Sequence, residues 1–262
     1  MSLEVLQIET TNYCNAKCVF CIHNSLKKFG IMSDNLFLKI LKDAKKIKTI
    51  REIIPMMLGE PFMDPKFLER LKLINKILPG RRIRIFTNCS LLTKQIIEEL
   101  WKIDNLYMVF SLNGTKEIRK NLMGLDDFDN VIKMIKLYAT KKHCIVQMVS
   151  HPSISNKEEK DFLNLFPNKP PTVKIISYKN WSGDKFTAFP KTKCERAISH
   201  MTIMWNGLVN LCCMEYGKEI FGDLNKQSIK EVWEKNKRQR YCILHSIGKY
   251  DKNTPCYNCT KA

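Results

Sequence analysis

The stretch Asn12-Tyr13-Cys14-Asn15-Ala16-Lys17-Cys18-Val19-Phe20-Cys21 sets three cysteines in a C-x3-C-x2-C spacing just after a short apolar run at 5–8. Three thiolates on one short loop can hold three corners of a cubane 4Fe–4S cluster and leave the fourth iron open to a reacting ligand. A structural zinc site instead takes four ligands, usually built on paired C-x2-C units. His23 lies two residues beyond Cys21, so this segment alone leaves zinc open.

Outward from the cysteines, the chain alternates between two apolar patterns. Short runs at 5–8, 53–58, 82–87, 106–112, 144–149 and 173–177 read as strands. Stretches at 34–47, 65–78, 93–102, 128–140 and 156–166 read as helices, with Leu36, Ile40, Leu41 and Ala44 recurring at three- and four-residue steps. Ser33 and Thr93 stand where helix N-caps belong. Strand–helix alternation with short loops predicts an α/β fold with a parallel sheet. Six strands predict a partial (β/α)6 TIM-like barrel rather than a closed eight-stranded one. In parallel barrels the chemistry gathers on loops after the strands. The cysteine loop, Gly59-Glu60-Pro61, Thr87-Asn88, Ser111 with Asn113, and His151 all fall in such loops.

This set of motifs resembles the radical S-adenosylmethionine (SAM) superfamily. The resemblance implies that Cys14, Cys18 and Cys21 ligate the 4Fe–4S cluster, with the aromatic Phe20 beside them. The open iron then chelates SAM, and one electron releases a 5′-deoxyadenosyl radical. Gly59, Glu60 and Pro61 resemble the family's G-E-P motif, which binds the SAM ammonium. Thr87 and Asn88 resemble its T-N-G, with Cys89 in place of the glycine. Ser111 and Asn113 resemble a stretch facing the SAM ribose.

After about residue 181 the alternation stops, so the domains are expected at 1–181 and 182–262. Cys194 and Cys212 are arranged as C-x12-G-x4-C, and Cys256 and Cys259 as a C-x2-C near the end. Trp205-Asn206-Gly207-Leu208 reads as a tight hairpin that would bring Cys194 and Cys212 together. Four sulfurs can ligate one whole cubane cluster, although a four-cysteine zinc site has the same composition. This part resembles the SPASM/twitch extension of radical SAM enzymes, in the form with one auxiliary cluster. The match includes Gly207 to Cys212, Phe221-Gly222-Asp223-Leu224, Trp233 in a helix and the final C-x2-C. In length and cysteine spacing the chain is most similar to the dehydrogenase type that oxidises 2-deoxy-scyllo-inosamine. The resemblance therefore implies two 4Fe–4S clusters, SAM, and an electron donor such as flavodoxin or ferredoxin.

The most direct function implied is two-electron oxidation of a small polar metabolite. His151, Lys side chains and Glu215 are candidate bases, and Cys89 and Cys213 are candidate hydrogen donors. Modification of a peptide by epimerisation, cross-linking or thioether formation is the alternative. A first strand starting near Val5 leaves no leader-binding domain ahead of it, which counts against leader-dependent peptides. A nucleotide or nucleic-acid substrate, or a non-enzymatic metal protein that binds nucleic acid, rests on the net charge of +18 alone. Lysines outnumber arginines 35 to 9 and are spread along the chain, a pattern that an AT-rich coding sequence also produces. No secretion signal or apolar run of membrane-spanning length is present in the 262 residues. A cytoplasmic, reducing compartment is therefore expected, with the eleven cysteines serving as metal ligands or buried thiols rather than disulfides.

Overall fold

A computed structural model describes residues 1–167, 170–178, 193–250 and 255–259. The first part runs β1 (Val5–Ile8), α1 (Asp34–Lys45), β2 (Glu52–Ile54), α2 (Phe67–Ile77), β3 (Arg82–Thr87), α3 (Lys94–Trp101) and β4 (Leu106–Ser111). It continues with α4 (Lys116–Met123), α5 (Phe128–Ala139), β5 (Cys144–Ser150), α6 (Asn156–Leu163) and β6 (Thr172–Ser177). The C-terminal part runs α7 (Glu195–Ser199), β7 (His200–Ile203), β8 (Leu208–Asn210), β9 (Ile220–Asp223), α8 (Ile229–Trp233) and α9 (Asn236–Ser246).

The six expected strands lie in the order β6-β5-β4-β3-β2-β1, all parallel, forming the partial barrel. Ser33 and Thr93 accept hydrogen bonds from the amides of Leu36 and Ile96, so both sequence-expected caps close their helices. Leu6, Ile53, Ile83, Phe110 and Val146 point from the strands into one core with Phe37, Leu71, Ile97 and Ile135 from the helices.

Three features depart from the sequence expectation. Strand β2 is only three residues long where six were expected. Beyond Ile54 the chain turns back, with the Met56 amide donating to Ile54 O, and the Leu58 amide leaves the sheet for the Glu9 carboxylate. Helix α4 was not expected. Its buried Ile118, Leu122 and Met123 are interleaved with charged residues, and Gly124 ends it at φ 68° in the left-handed region. The third departure concerns the sheet edge. Strand β7 pairs parallel with β1 along its whole length, from Val5↔His200 to Ile8↔Ile203, and β8 and β9 follow antiparallel. The C-terminal part thus extends the barrel's own sheet, covering the edge that β1 would otherwise expose.

The expected boundary at 181/182 lies outside the described residues. Among the described residues no helix is long and apolar enough to cross a membrane.

Candidate functional site

The loops after β1 to β4 converge on a cavity of about 330 Å³. Cys14, Cys18, Phe20 and Cys21 line one side, Gly59 and Glu60 the next, and Thr87, Asn88, Ser111 and Asn113 complete the arc. Gly59 is required by contact rather than by dihedral angle. A Cβ there would stand 2.3 Å from Thr11 O and 2.8 Å from Tyr13 O. This close approach lets the Glu60 amide donate to Tyr13 O at 2.8 Å, locking the cysteine loop to the end of β2.

Glu60 is buried and accepts from Thr87 Oγ1 at 2.6 Å and from the Asn88 amide at 2.8 Å. Burial pushes its carboxyl up to about 7 despite these bonds. The Asn88 side chain reaches back to Asn15 Oδ1 at 2.8 Å, joining the β3 loop to the cysteine loop. Asn113 adopts φ 59° and accepts from the Val149 amide, while Gln147 donates to Ser111 Oγ at 3.2 Å. Pro61 is not part of the cavity wall; it opens a short 3-10 turn, Pro61–Met63.

Burial raises the Cys14 thiol to about 11 and the Cys18 thiol to about 12, and it also raises Cys21. Such thiols keep their protons until a metal displaces them. His23, which left zinc open, turns its ring away. Its Nε2 lies 2.8 Å from Asn12 O and its ring packs on Phe29. Among the described residues no three His, Cys, Asp or Glu side chains converge on the position of a single ion. The three thiols instead flank a cavity with a buried carboxylate at its far side, which fits a polynuclear cluster with a cationic amine ligand beside it.

A second, smaller cavity is lined by Cys194, Cys212, Cys256 and Cys259 together with Leu211, Met214 and His245. Cys194 precedes α7 and Cys212 follows β8, so the β7–β8 hairpin does bring them to one place. Burial raises all of the thiols at 194, 212 and 256, Cys256 to about 12. Four sulfurs lining one small cavity fit one fully ligated cluster.

The two cavities share a wall that the sequence reading missed. Arg196 lines both of them. It donates to Cys213 Sγ, which faces the larger cavity, whereas the adjacent Cys212 faces the smaller one. Position two after Cys194 was the only available signal for Arg196. Two other expectations are corrected by placement. Cys89 has no exposed surface and belongs to the hydrophobic core, with its thiol over Thr87 O, so it is not in the wall of the cavity. Its φ of 70° accounts for glycine as the better fit at that position. Glu215 is 1% exposed and lines neither cavity, and burial raises its carboxyl from 4.5 to about 7. His151 stands just outside, its ring 6.2 Å from Phe20 and 5.4 Å from Tyr178, with Nδ1 2.7 Å from Ser153 Oγ.

Glu9 was also missed. Wholly buried at the end of β1, it accepts from the Leu58 amide, the Trp205 amide and the Tyr216 hydroxyl, so it stitches the barrel to the C-terminal part. Burial raises its carboxyl from 4.5 to about 7. The folded protein therefore keeps a proton that the unfolded chain loses above its ordinary value. That contribution is complete below about pH 4.5 and is lost as the pH rises through about 7, an effect of about 3 kcal/mol. Glu9→Gln mimics the protonated form. The expected result is that wild type loses denaturant stability relative to Glu9→Gln as pH rises through this window, and parallel pH profiles would rule the effect out.

Residues 8–166 match the radical SAM superfamily model. The chain belongs to the radical SAM superfamily. Residues 194–260 match the SPASM iron–sulfur cluster-binding domain, so it is a radical SAM enzyme of the SPASM type. Its cofactors are accordingly SAM, a SAM-ligating 4Fe–4S cluster and auxiliary iron–sulfur chemistry in the C-terminal domain.

The chain is 32% identical over 112 residues to the tungsten-containing aldehyde ferredoxin oxidoreductase cofactor-modifying protein of Pyrococcus furiosus, covering 42% of this chain and 31% of that one. It is 29% identical over 156 residues to the cysteine-type anaerobic sulfatase-maturating enzyme of Clostridium perfringens, covering 53% and 42%. The chain thus spans less than half the length of these two curated relatives. Among solved structures, BtrN in complex with AdoMet and 2-DOIA superposes with a TM-score of 0.73 at 16% identity, covering 99% of this chain and 94% of that one. Streptococcus suis SuiB bound to the precursor peptide SuiA gives a TM-score of 0.77 at 19% identity, covering 98% and 70%. At these identities the likeness is one of fold.

Proposed function

We propose that this enzyme cleaves SAM reductively to a 5′-deoxyadenosyl radical, takes hydrogen from a small polar metabolite, and carries that substrate through a two-electron oxidation. The observation that carries this reading is the shared wall: Arg196 borders both the cavity of Cys14, Cys18 and Cys21 and the cavity of Cys194, Cys212, Cys256 and Cys259. When bound, the first cluster supplies the electron that splits SAM and the second an acceptor for the substrate's electron.

The protein residues bind and orient. Glu60, held by Thr87 and Asn88, receives the SAM ammonium, and Gly59 lets the backbone approach it closely. Asn88, Ser111 and Asn113 face the ribose. Cys213 and Arg196 meet the substrate on the side of the second cavity. His151, its ring oriented by Ser153, is the candidate proton acceptor at the rim. Flavodoxin or ferredoxin is the expected class of electron donor.

A second reading, radical modification of a peptide, is supported by the likeness to SuiB with its bound precursor peptide. One experiment separates the two. The anaerobically reconstituted protein is given SAM, reductant, and in parallel amino sugars or cyclitols and short peptides. The oxidation reading expects 5′-deoxyadenosine together with a metabolite lacking two hydrogens. Mass-changed peptides without any oxidised metabolite would replace it with the second reading.

A further inference from the structure

His245 is the only buried one of the chain's five histidines, with 2% of its surface exposed. It lies in the last turn of α9 and lines the smaller cavity beside Cys194, Cys212, Cys256 and Cys259. Its Nδ1 is 2.7 Å from Tyr241 O. A carbonyl oxygen only accepts, so Nδ1 carries the ring proton, and Nε2 of the neutral imidazole presents a lone pair. Nε2 is buried and has no hydrogen-bond partner among the described residues.

The ring is held in this orientation. It stacks on Tyr241 at 5.7 Å and 17°, and it meets Tyr250 edge-on at 4.7 Å and 80°. Turning the lone pair elsewhere would break the Nδ1 bond and both ring contacts. A buried polar atom left without a partner is costly, so such atoms in folded chains mark a group that is to be bound. One ring N–H on a backbone carbonyl, with the other nitrogen unspent, is how metal-ligating histidines are held. His23, beside the first cysteine set, differs in this respect, because its Nε2 is spent on Asn12 O.

We propose that His245 Nε2 is an iron ligand of the cluster in the smaller cavity, a nitrogen donor working alongside cysteine sulfur. The inference rests on the reading of Cys194, Cys212, Cys256 and Cys259 as an iron–sulfur site. A cubane has four irons and this cavity has five donors, so one of the four sulfurs is left off iron. A neutral imidazole in place of a thiolate removes one negative charge from the cluster. Histidine ligation of this kind raises the reduction potential of iron–sulfur centres, which suits a site that accepts an electron from substrate.

The test uses the full chain, reconstituted anaerobically and grown with 15N-histidine as its only labelled residue. Pulsed electron paramagnetic resonance of the reduced protein, without SAM, reads nitrogen coupling to the clusters. Wild type is expected to show the strong 15N coupling of a directly bound imidazole. His245→Cys and His245→Gln are expected to lose it while keeping about eight irons, because the spare sulfur takes the vacated iron, and the potential of the second cluster should shift downward. The wild-type spectrum is decisive even where a variant fails to fold. A weak coupling, that of a hydrogen bond to sulfur, would overturn the proposal, and so would no 15N coupling at all. A strong coupling that persists in both variants would assign the ligand to another histidine. A second cluster that no reductant makes paramagnetic would also overturn it, since nitrogen ligation sets the potential above that of an all-sulfur cluster. Wild type holding only about four irons would instead sink the reading of the four cysteines.

Discussion

Replacing Cys14, Cys18 and Cys21 together by alanine is expected to cut the iron of the reconstituted protein from about eight to about four per chain and to bring 5′-deoxyadenosine below detection. The three side chains are half-buried on a loop whose backbone is tied elsewhere: the Lys17 and Val19 amides donate to Met123 O and Leu122 O, and Glu60 holds Tyr13 O. The fold should therefore survive, and circular dichroism should be unchanged. The four remaining irons report the second cavity at Cys194, Cys212, Cys256 and Cys259. Full iron with undiminished SAM cleavage in the triple variant would show that the catalytic cluster is held somewhere else.

The second large effect is on stability and comes from a residue outside the cavity wall. Arg119 on α4 has no exposed surface. It donates to Asp127 at 2.7 and 3.3 Å, to Asn88 O at 2.8 Å, to Leu112 O at 3.2 Å and to Ser90 Oγ at 3.2 Å. One guanidinium thus ties the ends of β3 and β4, the loops that carry Asn88, Ser111 and Asn113. Arg119→Met leaves these acceptors buried and Asp127 without its cation. Removing one member of a buried pair costs about 3–5 kcal/mol. Asp127 keeps 23% of its side-chain surface in water, which places the expected loss near the lower figure. Anaerobic denaturant unfolding measures it, and SAM affinity should weaken alongside. Unfolding at the wild-type midpoint would show that water replaces the guanidinium at no cost.

Much of this was legible beforehand because the signals are local. A strand announces itself by a few consecutive apolar residues, and β3, Arg82–Thr87, came out with the expected ends. Cysteine spacing is equally local, and both cysteine sets proved to line cavities. Helix α4 escaped because four of its first five residues are charged and its buried face is only two turns long. Arg119, Glu9 and Tyr216 escaped for a different reason. A buried charge is defined by partners distant in the chain, and Glu9 meets Tyr216 across 207 positions. Cys89 was misread toward the cavity because adjacency to Thr87 and Asn88 says nothing of which way a side chain leaves a left-handed turn.

By itself the sequence determined the class of chemistry and the parallel α/β architecture, and it singled out the two cysteine sets that line the cavities, since each is written as a spacing within a short stretch of chain. Tertiary structure alone decided that β7 closes on β1 and that Arg196 stands between the two sulfur-lined cavities. These are relations between segments separated by most of the chain. Only the pairing of strand edges and the burial of a common core bring such segments within reach of one another.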